Sequence, residues 1–189
     1  MTVIGLVNAP AAFASSVSSA VFSGGAGTAS VGGTLHAKQG AALTLTLVTS
    51  SDTQCISLPV EFTGARTSNG GKAGWTFTTT APAGNGVQTI TIGASSNYNQ
   101  NTFNCNGSTE TRQVSYTLDN TGPVVTAALT PAANTAGWNN TDVTVGWTAT
   151  DAGSGVAAAQ PFKTETVTSN GIVTLTAPAQ ADRLGNTGA

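Results

Sequence analysis

Charge is the scarcest property of this sequence. Asp, Glu, Lys and Arg together make up 7% of its 189 residues, against roughly a quarter in an average soluble protein. The six Lys plus Arg and eight Asp plus Glu are scattered without runs and leave a net charge of −2. No basic patch exists on which nucleic acid or an anionic membrane surface could dock, so neither is an expected partner. Histidine occurs once, as His36, in a Gly-flanked polar stretch that reads as a solvated loop. A serine or cysteine triad is thereby deprived of its base. The Gly-x-Ser-x-Gly elbow, the His-Glu-x-x-His pair, Cys-x-x-Cys and a glycine-rich phosphate loop opening a helix are all missing, so hydrolase, metalloprotease, redox and nucleotide chemistry lack a starting motif. No enzyme activity, cofactor or metal is expected. Helical periodicity is absent too, and no apolar run is long enough to cross a bilayer as a helix, so membrane insertion is not expected.

Two cysteines, Cys55 and Cys105, stand in this Thr-rich and Lys-poor chain. Such a pair reads as one disulfide formed in an oxidising, extracellular compartment, either secreted or at the cell surface. Closing about fifty residues, it would stabilise the fold by on the order of 4 kcal/mol in the chain-entropy model. Because Cys105 sits in an Asn-rich polar loop, a peripheral staple is expected rather than a bridge through the core. Near the start, Val3-Ile4-Gly5-Leu6-Val7, Pro10 and Ala12-Phe13-Ala14 resemble the late apolar region and cleavage site of a secretory signal. Residues 1–26 are read as a signal-peptide remnant or flexible leader.

What the chain has in quantity is β-strand pattern. Leu43, Leu45 and Leu47 alternate with threonines, as do Trp75 with Phe77, Ile90 with Ile92, and Val143, Val145, Trp147 and Ala149. Val114, Tyr116 and Leu118 alternate with Ser115 and Thr117. Period two of this kind buries one face of a strand and leaves the other to water. Trp75 and Trp147 share the parity of the apolar face and are expected in the core. Residues 15–33 read as a linker, with room for one edge strand. Thr166 to Thr168 and Ile172 to Ala177 read as a hairpin across Ser169-Asn170-Gly171. Residues 151–156 and 182–189, rich in Asp, Gly and Asn, read as turns.

Four of these segments taken together resemble a known architecture. Gly137-Trp138-Asn139-Asn140, then residues 143–149, residues 151–156 and Asp182-Arg183-Leu184-Gly185-Asn186 are similar to bacterial immunoglobulin-like repeats of long secreted and cell-wall proteins of actinobacteria. Asp119-Asn120-Thr121-Gly122-Pro123 is similar to the linker that joins such repeats. The likeness is clear over residues 119–189 and looser over 27–118. It implies an all-β chain of tandem immunoglobulin-like sandwiches, 27–120 with the disulfide and 121–189 lacking its final strand. The implied role is an extracellular structural or adhesive module acting as spacer or stalk. Its partners would be neighbouring domains of the same polypeptide and a polysaccharide or a host or cell-surface protein. Two alternatives stand beside it: a carbohydrate-binding accessory module of a secreted glycoside-active enzyme, and a phage or filament subunit completed by a donated strand.

Few side chains stand out as ligand contacts. Trp138, Asn139 and Asn140, in a turn, are the candidates for touching a partner, with the Asn-rich loop 97–109 extending the face. Asp119, Asp142, Asp151 and Asp182 fall near strand ends, where oxygen ligands can hold calcium. Each sits alone in its motif with no Asp-x-Asp spacing, and each therefore reads as a turn cap. The order Lys38, Glu61, Asn120 also fits an intramolecular isopeptide bond.

Overall fold

The computed structural model describes residues 15–99, 104–106 and 110–189; of the leader reading for residues 1–26, residues 1–14 lie outside them, and the remainder is no flexible leader, since Val17–Gly24 form a strand. The chain is all-β, with fifteen strands among the described residues. The first seven are β1 (Val17–Gly24), β2 (Thr28–Val31), β3 (Thr34–Ala37), β4 (Ala42–Thr49), β5 (Cys55–Ser57), β6 (Gly74–Thr80) and β7 (Gly86–Ser95). They are followed by β8 (Asn97–Asn99), β9 (Asn104–Asn106) and β10 (Glu110–Leu118). Beyond residues 119–123 come β11 (Val124–Thr130), β12 (Val143–Thr150), β13 (Lys163–Val167), β14 (Gln180–Ala181) and β15 (Thr187–Gly188).

These strands form a three-stranded sheet, β1-β4-β6, and a five-stranded sheet, β2-β3-β10-β7-β5. A second three-stranded sheet runs β11-β12-β13, and β8-β9 and β14-β15 are two-stranded. The alternation in the sequence explains which face each strand buries. Leu43, Leu45 and Leu47 of β4, Trp75 and Phe77 of β6, Ile90 and Ile92 of β7, and Tyr116 and Leu118 of β10 are all buried. Each such side chain contributes on the order of 1.5–3 kcal/mol by leaving water. One face of the β1-β4-β6 sheet and one of the β2-β3-β10-β7-β5 sheet are thus apolar, the arrangement of a β-sandwich. Phe22 of β1 meets Tyr116 of β10 edge to face with ring centroids 4.9 Å apart, a favoured aromatic geometry that connects the two sheets.

Contacts group the residues into two compact units that are not consecutive in sequence. Of the described residues, one comprises 15–21, 44–78, 89–99, 104–106 and 110–114, the other 22–43, 79–88 and 115–189. The first holds the disulfide. Cys55 of β5 is bonded to Cys105 of β9 with Cα atoms 5.6 Å apart. Strand β5 is the edge of its sheet and β9 belongs to a separate hairpin, so the bridge fastens an edge to a hairpin. In the same unit the buried indole of Trp75 donates to Thr49 Oγ1 at 3.1 Å, and Lys72 Nζ lies 4.3 Å from the Trp75 ring centroid. The guanidinium of Arg66 donates to the carbonyls of Leu58, Pro59 and Phe62, which holds the loop around Pro59 against the end of β5.

Three features depart from the sequence reading. Residues 15–33, read as a linker, contain all of β1 and β2. Their small Ser, Ala and Gly residues form strands because Val17 and Phe22 reach the core, so two anchors suffice where neighbouring strands supply the surface. His36 is not a solvated loop residue. It lies in β3 at 9% exposure, opposite Thr117 of β10 in a parallel pairing. The third departure is the expected hairpin. Strand β13 forms, but residues 172–179 join no ladder, and Ile172 is 89% exposed. Alternation shows only that a segment could bury a face, and among the described residues nothing covers this one.

Candidate functional site

The second unit is organised around residues 119–123. Strand β10 pairs in parallel with β3 as far as Leu118 opposite Ala37, and the Asp119 amide continues the pattern by donating to Ala37 O at 3.0 Å. The side chain then leaves the sheet. Its Oδ1 accepts from the amide of Thr121 at 3.2 Å and its Oδ2 from the amide of Ser154 at 2.6 Å. The Asp119 carbonyl accepts from Asn186 Nδ2 at 2.9 Å. One residue at 3% exposure therefore fastens β10 to two turns far along the chain.

Those turns are themselves built on aspartates. Asp151 Oδ1 accepts from the amides of Gly153 and Gly155 at 3.1 and 2.6 Å. Asp182 Oδ1 accepts from Leu184 and Asn186 at 2.8 and 2.7 Å, and its Oδ2 from Asn186 Nδ2 at 2.7 Å. Short Asp side chains stabilise such turns by binding amides two to four residues ahead. The two turns also meet, for Arg183 N donates to Gly155 O at 3.0 Å. Gly153 is required by space: a Cβ there would overlap the Asp119 carboxylate. Gly122 and Gly188 are required likewise, since a Cβ on either would strike backbone of Thr187 or of Pro123.

Upstream, residue 120 is fastened as firmly. Asn120 Oδ1 accepts from Gln39 N, Asn120 Nδ2 donates to Gly84 O, and Asn120 N donates to Asn85 Oδ1 at 2.6 Å. Both polar side-chain atoms of Asn120 take a hydrogen bond, and Glu61 is exposed, so it does not offer the buried carboxyl that isopeptide chemistry uses.

Electrostatics at the centre run in opposition. Burial raises the Asp119 carboxyl's pKa, but the Ser154 amide and hydroxyl, the Thr121 amide and the charge of His36 outweigh it and hold the group below its ordinary value. Asp119, Asp151 and Asp182 converge so that one carboxylate oxygen from each lies within 4.8 Å of the others. Asp142, read alongside them, is exposed and lines a groove elsewhere in the unit. Each Asp is recognisable locally as a turn former, but the pairing of β10 with β3 and of β14 with β15 accompanies the convergence of three of the four.

The groove holds the other candidate residues. It has a volume of about 760 Å³ and is lined by Trp138, Asn139 and Asn140 with Leu129, Val143 and Ile172 among others. Asn134 Oδ1 accepts from the amides of Ala136 and Trp138, both at 3.0 Å, and this turn presents the indole at 56% exposure. Asn139 Nδ2 donates to Pro131 O at 2.9 Å. Trp147, by contrast, is buried, its Nε1 donating to Glu165 Oε1 at 3.0 Å. Lys163, 2.9 Å from the same carboxylate, leads the influences that hold the Glu165 pKa low. Of loop 97–109, residues 100–103 and 107–109 lie outside the described residues. The chain matches no protein-family model, no curated protein and no solved structure.

The lowered pKa of Asp119 sets the sign of its pH dependence. Its stabilisation is complete above the unfolded value of about 3.9 and is lost as pH falls through the lower folded value. Melting temperatures are expected to hold steady from neutral pH down to about pH 5 and to fall below about pH 4. Asp119→Asn should melt lower at neutral pH and lose less on acidification. Parallel melting curves for the two proteins across that range would contradict this role.

Proposed function

We propose that the chain is a structural and adhesive module of a secreted or surface-exposed bacterial protein, formed of tandem immunoglobulin-like sandwiches over residues 27–120 and 121–189. Its task is mechanical rather than catalytic: to hold neighbouring domains of the same polypeptide at a distance. The observation that carries this reading is the fastening of residues 119–123. Ala37, Gln39, Gly84 and Asn85 bond to Asp119 and Asn120 from the upstream stretch, and Ser154 and Asn186 bond to Asp119 from the downstream one. A linker tied on both flanks transmits position, as a spacer must. The disulfide and the low charge add support, since the first persists in oxidising surroundings.

Exposed Trp138 favours a second reading, a carbohydrate-binding accessory module of a secreted glycoside-active enzyme. An indole beside Asn139 and Asn140 in a groove offers a sugar ring both an apolar plate and polar edges.

Limited proteolysis tests the spacer directly. Cleavage is expected first within residues 169–179, which are outside the strands and mostly exposed, while residues 119–123 stay intact; early cleavage within 119–123 would sink the proposal. Pull-down on insoluble polysaccharides separates the two readings. The spacer reading expects no retention, whereas retention abolished by Trp138→Ala would establish the carbohydrate-binding one.

A further inference from the structure

We infer that Asp119, Asp151 and Asp182, joined by the hydroxyl of Ser154, form a calcium site that fastens residues 119–123 to the two aspartate turns. Three observations lead there. The first is distance. One oxygen from each carboxylate lies within 4.8 Å of the other two, and ligands held at 2.3–2.6 Å from a common calcium ion are separated by at most about 5 Å. The second is charge. Asp119 and Asp182 are each at 3% exposure, and among the described residues the only ion pair is Lys163 with Glu165. Backbone amides at Thr121, Ser154, Gly153, Gly155, Leu184 and Asn186 offset part of the negative charge. Lys38 Nζ approaches Gly185 of the Asp182 turn and His36 acts on Asp119, but no lysine or arginine among the described residues forms an ion pair with these carboxylates.

The third observation points to a ligand independently of the acidic residues. Ser154 is 0% exposed and its Oγ has no hydrogen-bond partner. A buried hydroxyl in that state is costly. The Ser154 amide is 2.6 Å from Asp119 Oδ2, and the hydroxyl lies close enough to act on the same carboxylate without making a hydrogen bond of ordinary geometry. It stands beside the Asp119 carboxylate, one of the three, with a lone pair to offer. Asp151 is half-buried, and its Oδ1 is the atom that closes the turn, so its Oδ2 is left to face a cation.

The donor set selects the ion. All the atoms are hard oxygens, and His36, whose buried Nδ1 is also without a partner, is not a member of the cluster. Zinc and copper, which prefer nitrogen and sulfur, are disfavoured. Magnesium demands a stricter octahedron and keeps its water, whereas calcium accepts irregular oxygen shells. Extracellular modules typically bind calcium with Kd of about 10⁻⁴–10⁻³ M, and partial use of each carboxylate by amides places this site in that range. The site does not depend on the spacer role; it would exist whatever the module carries.

Calorimetric titration of calcium chloride into the chelator-treated 189-residue chain, paired with thermal melting, tests the assignment. One saturable site is expected, with a melting temperature raised by about 5 °C at about 10 mM calcium and raised less by equimolar magnesium. Asp151→Asn keeps an oxygen for the Gly153 and Gly155 amides but removes the charge, and should weaken calcium binding at least tenfold. Asp142→Asn should bind as the parent does. A folded parent chain with no saturable calcium heat, an equal response to magnesium, or undiminished binding by Asp151→Asn would overturn it.

Discussion

A single carboxylate, that of Asp119, decides how the second half of this chain is held. Its main-chain amide prolongs the parallel pairing of β10 with β3. Its two oxygens and its carbonyl then take partners at Thr121, Ser154 and Asn186. Other features follow from that placement. Gly153 has room for hydrogen only, because the carboxylate lies against it. Gly122 and Gly188 permit the close backbone approach between residues 122–123 and 187–188. The turn at Asp182 is positioned by the same network, through the two bonds that Asn186 Nδ2 makes, one to Asp119 and one to Asp182.

Burying a carboxylate is unfavourable unless donors replace its water. Here amides do most of that, and main-chain amides held in tight turns lose little further freedom on bonding. The arrangement converts a sequence poor in charge into one where the few aspartates matter individually. Residues 119–123 are bonded through Asp119 and Asn120 to stretches both earlier and later in the chain. Three aspartates drawn together by these turns concentrate negative charge at that point, and this makes a divalent cation the natural counter-ion.

Much of the fold was legible. The alternations at Leu43 to Leu47, at Trp75 and Phe77, at Ile90 and Ile92 and at Val143 to Ala149 correspond to β4, β6, β7 and β12, because period-two burial is a local property of the chain. Cys55 and Cys105 pair as read. Strand β5, the edge of its sheet, stops two residues before Pro59, which cannot donate to a ladder. What stayed hidden depended on partners distant in sequence. Strands β1 and β2 are small-residue segments whose pairing is supplied by other strands, and His36 is buried by its place in β3 rather than by its neighbours in sequence. Residues 172–177 show the converse, a good local pattern without a surface to cover. The aspartates were each recognisable as turn formers, but residues 119, 151 and 182 are far apart in the chain, and no spacing rule announces that they meet. Ser154, between two glycines of a turn, gave no sign that its hydroxyl would be buried.

The central claim is that Asp119 fixes residues 119–123 and the turns beyond them, and amide hydrogen exchange at Ser154 tests it most directly. That amide lies in a turn, outside every strand, and its one described partner is Asp119 Oδ2. If the carboxylate holds it, Ser154 should exchange as slowly as the amides of β12 and should be released by Asp119→Ala. Exchange at the rate of an open turn in the parent chain, or slow exchange that survives Asp119→Ala, would show that something else holds the linker.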